Sequence, residues 1–360
     1  MIFVIVSTFA VFVVALLINE RLVPEVKLGL TVFAVVWLTW LSFVLTNRPD
    51  STGYSNYLTW FSDAQRILTS REPIFGVISH IVSRLTDDVR LLYGILGLIS
   101  LACYYFAVNR LKLSPTTKAL FFLYYFVLIF HQSNLWYIRQ GTAVAIFLVS
   151  IIFWEETKRT KSLVVILVAT AIHFSAFFAF VVFLTARNIP VKALMIGTMV
   201  VALIFLWSIP VFEDVSKLLN RVIPIAENYT RYQYLPGKGD PIDRVPIFDS
   251  LIIGSLIVLG WNKTLREHAF FKFALSLFLV RFLSYEVQQA GRILRYVEPV
   301  FVLLIAFSFP NQKKNLKLYF ALALPTLLMI QGYFYGPFRS HLQNINFYFL
   351  SFVEKGGRIG

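Results

Sequence analysis

Long apolar blocks follow one another along most of this 360-residue chain, and they restrict its fold more than any other feature. The blocks run for about 15 to 24 residues, and a helix that rises about 1.5 Å per residue then crosses a hydrocarbon layer roughly 30 Å thick. Hydrophobic residues make up 58% of the sequence and charged residues only 14%, against about 25% charged residues in soluble proteins. A water-soluble domain of this size could not bury so much apolar surface. The sequence therefore predicts an all-α, polytopic transmembrane helical bundle that forms a single integral membrane domain over residues 1–360.

The apolar blocks predict about 10 to 12 membrane segments. The first block has neither a basic region before it nor a small-residue cleavage site, so it is interpreted as a retained span and not as a signal peptide. The predicted segments are 2–18, 28–46, 89–109, 118–130, 135–154, 162–186, 191–212, 247–261, 269–285, 296–309 and 316–335.

Basic residues between the apolar blocks predict the orientation of the chain. The positive-inside rule places five basic clusters in the cytoplasm. These are Arg110, Lys112 and Lys118; Lys158, Arg159 and Lys161; Arg187 and Lys192; Lys263 and Arg266; and Lys313, Lys314 and Lys317. Segment 162–186 must then leave and return on one side, as a re-entrant hairpin or two short helices with an apex near His173 at the outer face. A single ordinary span is the alternative, and it would invert everything on one side of it.

Four pieces of the chain then lie outside the cell: 47–88, 131–134, the long loop 213–246, and 286–295. The inner connections are short and contain no P-loop. The net charge of +14 comes largely from the connections that set topology, so it does not indicate nucleic acid as a partner. The sequence thus predicts external chemistry that uses no ATP.

Two ionisable residues stand inside apolar runs. Arg139, followed by Gln140, lies at the start of span 135–154, where an arginine costs about 2.5 to 3.5 kcal/mol at the bilayer centre and needs a cavity or a partner. His173 lies within the apolar run 162–186, where a neutral imidazole can act as a base or a hydrogen-bond donor, or can simply pack in the core. The histidines do not show metal-ligand spacing and the single cysteine is Cys103, so no metal site is predicted.

Further candidate residues lie in the external pieces. Arg292 and Arg295 are three residues apart, hence on one face of a helix, with Arg281 upstream, and guanidinium groups suit phosphate oxygens. Glu72 precedes a proline that opens an apolar run, a favourable helix start, and it follows a segment rich in hydroxyls and aromatic rings that suits a sugar. Loop 213–246, with Arg231 and Tyr232, is interpreted as a lid or substrate clamp, or as a plain connection.

The order of these features resembles the EpsG-like, or Wzy-like, family of bacterial exopolysaccharide and O-antigen polymerases. The resemblance covers roughly residues 50–299. It rests on Asp50, Tyr54 and Tyr57; Glu72 with Pro73; Ile138, Arg139, Gln140 and Ala143; His173, Ser175 and Ala176; and Arg292 with Tyr296.

This resemblance implies a glycosyltransferase that joins oligosaccharide repeats carried on undecaprenyl diphosphate, at the outer face of the bacterial plasma membrane. The lipid-linked repeat would be both donor and acceptor, the bilayer would be its surroundings, and a chain-length regulator protein is a candidate partner. No cofactor and no metal are implied, because guanidinium groups can stabilise the departing diphosphate. The implied diphosphate ligands are Arg139, Arg292 and Arg295, and the proton acceptor is Glu72 or His173. Asp50 is a third catalytic candidate, and Tyr54, Tyr57, Gln140, Arg231, Tyr232, Arg281 and Tyr296 are candidate substrate contacts.

Two other functions would fit a membrane bundle with these residues. A membrane acyltransferase that modifies polysaccharide would also use a histidine and arginines, but it needs entry of an acyl donor from the cytoplasm, where no suitable group of residues is found. A flippase or other transporter of lipid-linked oligosaccharide would lack a base and would more often show two related halves.

Overall fold

The computed structural model describes residues 51–125, 129, 137–206, 247–260, 262–283, 295–311 and 314–324. Every regular element in these ranges is helical, so the prediction of an all-α fold is confirmed. The predicted spans 2–18 and 28–46 and the loop 213–246 lie outside the described residues. Contacts between Cα atoms divide the chain into two compact units, the first up to Phe177 and again from Phe309 onward, the second over Phe178–Ser308.

The helices are numbered here in chain order over the described residues. The first unit contains α1 (Ser51–Phe61), α2 (Gln65–Leu68), α3 (Pro73–Leu85), α4 (Val89–Arg110), α5 (Pro115–Tyr124), α6 (Ile138–Glu155), α7 (Arg159–Ile172) and the start of α8 (Ser175–Asn188). The second contains the rest of α8, α9 (Val191–Leu206), α10 (Ile247–Leu259), α11 (Lys263–Arg266), α12 (Ala269–Leu283) and α13 (Val297–Ser308). A 3₁₀ turn (Phe309–Asn311), α14 (Lys314–Leu318) and a π-helical turn (Tyr319–Ala323) belong to the first unit again.

Local sequence explains where several of these helices begin. The Asp88 side chain accepts a hydrogen bond from the Arg90 backbone N–H at 2.9 Å and so caps α4. Ser114 caps α5 in the same way, and Pro115 occupies the first helical position, where its missing N–H costs nothing. Glu72 is the residue before α3, yet its side chain does not cap that helix. Its carboxylate is used elsewhere in the fold.

Polar side chains fix how α4, α6 and α7 pack. Ser100 in the middle of α4 donates to Thr142 near the start of α6 at 3.1 Å, and Arg110 at the end of α4 donates to Glu156 just after α6 at 2.7 Å, so these helices run in the same direction. Ser150 on α6 donates to the Ser162 carbonyl at 2.9 Å, and the reciprocal bond is 2.8 Å long. Small residues at such a contact let helix backbones approach closely.

The Arg110 guanidinium, with a smaller effect from Lys158, holds the pKa of Glu156 at about 2. This carboxylate therefore stays ionised at every physiological pH. Because Arg110 and Glu156 meet, the two basic clusters on either side of them lie at the same end of the first unit, as the positive-inside argument requires.

The predicted break in segment 162–186 is confirmed. Helix α7 ends at Ile172, His173 has an extended backbone conformation, and α8 begins at Ser175. Whether the chain returns to the same side of the membrane, or crosses it once as a broken span, stays a prediction.

Helices α4 and α6 are long and apolar enough to cross a membrane, and α8 with residues 191–200 gives a third candidate that bends by 118°. Helix α3, with 13 residues, is among the shorter apolar helices and was not among the predicted spans, because a full span needs about 20 residues. It falls in piece 47–88, together with α1 and α2.

Reporter fusions test the predicted topology. Fusions after Lys112, Arg159, Arg187, Lys263 and Lys314 are expected to give cytoplasmic signals, and fusions near Asp63 and Lys238 external ones, because positive connections are retained inside. Alkaline phosphatase and green fluorescent protein, which are active on opposite sides of the bacterial plasma membrane, provide paired readouts. Opposite sides for Arg159 and Arg187 would contradict the return of the chain after His173.

Candidate functional site

Four segments of the first unit meet near the start of α6: helix α1, the start of α3, the first turn of α6, and the break between α7 and α8. Apolar packing brings them together. The buried cluster beneath them consists of Tyr54, Leu58, Phe61, Phe75, Val82, Leu92, Tyr93, Leu96 and Ile138. Burial of aromatic side chains in such numbers gives a rigid support for polar groups above it.

An ion pair between Glu72 and Arg139 lies at the centre of this junction. Nη1 of Arg139 lies 2.7 Å from Oε2 of Glu72, and the two side chains are only 19% and 16% exposed. Oε1 of the same carboxylate accepts a hydrogen bond from the Phe174 backbone N–H at 3.3 Å. Glu72 thus connects the start of α3 both to α6 and to the break after α7. The free-energy cost of placing the charged Arg139 side chain in the membrane is offset here by a partner of opposite charge.

Aromatic groups surround the Arg139 guanidinium. Its central carbon lies 4.9 Å from the centre of the Tyr57 ring and 5.0 Å from that of Phe75, distances at which a cation is attracted to a ring face. The Tyr54 hydroxyl accepts the Arg139 backbone N–H at 3.3 Å. Nε of Arg139 is buried and has no acceptor among the described residues. Buried donors without an acceptor are rare, and this one suits an anionic ligand.

His173 occupies the break between α7 and α8. Its Nδ1 lies 2.7 Å from the Ser175 hydroxyl oxygen and 3.3 Å from the Ser175 backbone nitrogen. The imidazole is half-buried, and the next residue, Phe174, is the one that donates to Glu72. The residue that bears the imidazole is therefore next in the chain to one that contacts the ion pair, although these residues come from three separate segments of the sequence.

A second buried ion pair lies in the second unit. Nη1 of Arg295 donates to Oε1 of Glu298 at 2.8 Å, and the Glu298 side chain is only 4% exposed. Tyr296 is fully buried beside them. As with Glu72, a proline follows this glutamate in the first turn of a helix. A carboxylate at this depth needs the guanidinium, because an unpaired buried charge is costly.

The structure brings together five of the predicted site residues, namely Tyr54, Tyr57, Glu72, Arg139 and His173. Gln140 is buried in the same turn of α6. Arg295 and Tyr296 are in the second unit, and Arg281 is in α12. Asp50, Arg231, Tyr232 and Arg292 lie outside the described residues.

Sequence reasoning missed the parts that Phe75 and Ser175 play in this site. Phe75 lies three residues after Glu72, which places both on one face of the start of α3. Ser175 follows His173 by two residues across the helix break, a spacing that allows a hydrogen bond with the ring. Both spacings are visible in the sequence, and a search for neighbours of each ionisable residue could have found them.

A family model described as the EpsG family matches residues 29–349 of the sequence. No curated protein and no solved structure matches the chain.

Proposed function

We infer the function from one premise, which is that this chain belongs to the EpsG family. That membership, together with the apolar helices, supports a membrane protein with a role like that of a polysaccharide polymerase. We propose in addition that it is a glycosyltransferase which joins oligosaccharide repeats carried on undecaprenyl diphosphate, at the outer face of the bacterial plasma membrane, without metal or ATP.

The surroundings of Arg139 carry this proposal. A diphosphate needs donors that are fixed in position and partly removed from water, since charge interactions strengthen as the dielectric constant falls. The guanidinium is held by Glu72 and two aromatic rings, and its Nε–H has no acceptor among the described residues. A phosphate oxygen could take that bond. The planar fork of arginine also suits two phosphate oxygens at once.

In the proposed reaction, a hydroxyl oxygen of the acceptor sugar attacks the anomeric carbon of the donor. The bond between that carbon and the diphosphate oxygen breaks, and undecaprenyl diphosphate leaves with the electron pair. Arg139 stabilises the negative charge that develops on the leaving group. The hydroxyl proton passes to a base near the acceptor.

We assign the base to His173 and a positioning role to Glu72. Each oxygen of Glu72 already has a partner, and the adjacent guanidinium stabilises the ionised carboxylate, which makes it a weaker proton acceptor. An imidazole has an ordinary pKa near neutrality, which suits a general base. To act as the base, His173 must carry its proton on Nδ1, which then donates to the Ser175 hydroxyl at 2.7 Å and gives up the Ser175 backbone N–H that it accepts at 3.3 Å, so that the lone pair for the acceptor's proton is on Nε2.

Reconstitution with purified components tests the proposal. Purified protein in lipid vesicles, supplied with its native lipid-linked repeats and with neither ATP nor divalent metal, is expected to lengthen chains and to release one undecaprenyl diphosphate per bond. Polymer length on gels and the released lipid by mass spectrometry are the measurements. If chelation stopped chain growth, the metal-free part would be wrong. No growth by folded protein with its native repeat would contradict the polymerase itself.

Cells that lack the protein separate a polymerase from a transporter. Single lipid-linked repeats should still accumulate on the outer leaflet, because flipping precedes joining in the proposed order. Repeats trapped on the inner leaflet would instead indicate a flippase.

A further inference from the structure

Helix α1 has one outward aromatic side chain on an otherwise polar face. Tyr54, Leu58 and Phe61 are buried in the core, whereas the exposed side chains include Ser55, Asn56, Thr59 and Trp60. Trp60 is 52% exposed. A helix surface that faces lipid has apolar side chains, as the exposed residues Leu163, Val164 and Leu167 of α7 do. The polar face of α1 is suited to water or to a hydrated ligand.

The Trp60 ring is held in a fixed orientation by its neighbours. It is nearly parallel to the rings of Tyr57 and Phe61, with interplanar angles of 12° and 13° and centroids 6.5 and 6.1 Å apart. These three rings, Tyr57, Trp60 and Phe61, form an aromatic array. Phe75 packs beneath the array and meets the Tyr57 ring edge-on, with the ring centroids 5.4 Å apart. The Arg66 guanidinium lies 5.8 Å from the indole. Contacts with these neighbours restrict the rotamers of the ring, which lowers the entropy that it loses when a ligand binds.

Tyr57 joins this array to the proposed diphosphate site. One edge of the array is the Tyr57 ring, which lies 4.9 Å from the Arg139 guanidinium, and Trp60 is the next ring outward. In a lipid-linked repeat, the first sugar is attached directly to the diphosphate. A repeat whose diphosphate contacts Arg139 would therefore bring its sugars over α1.

We propose that Trp60 is a stacking platform for the saccharide of the lipid-linked repeat. This inference rests on the proposed function. The apolar C–H face of a pyranose ring packs against an indole, and nearby polar groups satisfy its hydroxyls. Asn56 and Thr59, both exposed on the same helix, supply an amide and a hydroxyl for this purpose. The chemistry selects a sugar over a lipid chain, because a lipid chain would leave these groups without hydrogen bonds.

Kinetics with three variants test this subsite. Trp60→Ala is expected to raise the apparent KM for the lipid-linked repeat about ten- to a hundredfold, the range that corresponds to loss of one stacking ring, with kcat changed much less. Trp60→Phe should restore most of the loss, since it keeps an aromatic face. Leu68→Ala, which removes a side chain that is 88% exposed on the next helix, is the matched control and should leave KM unchanged.

Direct binding separates this inference from the proposed function. The probe is the free oligosaccharide released by mild acid from the native lipid-linked repeats, measured by calorimetry against purified protein. Wild-type and Arg139→Lys proteins should bind it alike, and Trp60→Ala should bind it at least about tenfold more weakly. Wild-type KM and binding in Trp60→Ala, with polymerisation intact, would overturn the stacking role alone. If less Trp60→Ala protein were found in the membrane but its KM were unchanged, the indole would be an interfacial anchor, and the stacking role would be overturned equally.

Discussion

Replacement of Arg139 by lysine is expected to reduce polymer formation about a hundredfold or more while the protein stays in the membrane at its normal level. Lysine keeps the positive charge opposite Glu72, so the ion pair that joins α3 to α6 can still form. An ammonium group has no planar face to set against the Tyr57 or Phe75 ring, and it cannot donate two parallel bonds to phosphate oxygens. Polymer per unit of immunodetected protein, in cells and in vesicles, measures the effect.

The alanine variant is expected to differ from the lysine variant in one respect. Arg139→Ala should also abolish polymer, but it leaves the Glu72 carboxylate without its cation in a poorly exposed position. Removal of one partner of a buried pair costs about 3 to 5 kcal/mol, so the amount of protein should fall as well. Lysine therefore separates the loss of diphosphate recognition from the loss of folding.

The first unit also contains a matched control for this substitution. At the opposite end of α6, Nε and Nη2 of Arg110 donate to the two oxygens of Glu156 at 2.7 and 2.9 Å. Arg110→Lys makes the same chemical change in a more exposed pair, and normal polymer is expected. Normal polymer in Arg139→Lys as well would make Arg139 a structural residue only.

The parts of the site that sequence could predict are those in which one residue contrasts with its surroundings. Arg139 and His173 are conspicuous because each interrupts an apolar run. The break at His173 was predictable because basic clusters on both sides of one apolar block require the chain to return. The contrast reveals that a residue is unusual, but it does not reveal its partner.

Partners depend on packing that no local pattern contains. Glu72 and Arg139 lie far apart in the sequence, and the proline after Glu72 favoured the ordinary interpretation of a helix start. In the fold, this carboxylate leaves its own helix uncapped and reaches α6 and Phe174 instead. Trp60 was overlooked for a related reason: a single tryptophan in an external piece follows no periodic pattern, and its value depends on rings that fold beside it.

The assignment of the base predicts opposite outcomes for His173 and Glu72. His173→Gln is expected to lower kcat about 10²- to 10⁴-fold with little change in KM, because general-base catalysis contributes about that factor. Glu72→Gln should keep kcat within about tenfold of wild type, since glutamine can still accept the Phe174 N–H and since diphosphate, once bound, supplies the negative charge that Arg139 needs. Rates in vesicles with native lipid-linked repeats measure both.

The two variants should also differ in stability. Without substrate, Glu72→Gln leaves the Arg139 charge poorly compensated, so the midpoint of thermal unfolding should fall, and undecaprenyl diphosphate should raise it again by binding to the folded state. His173→Gln should show no such dependence on the ligand.

His268→Gln is the matched control for the histidine, because Nδ1 of His268 lies 3.2 Å from the Phe270 backbone nitrogen, much as Nδ1 of His173 lies beside that of Ser175. Normal kcat in His268→Gln would show that a histidine before a helix is not in itself essential. If instead Glu72→Gln were inactive and His173→Gln fully active, the carboxylate would be the base, and Arg139 would serve to hold it in place.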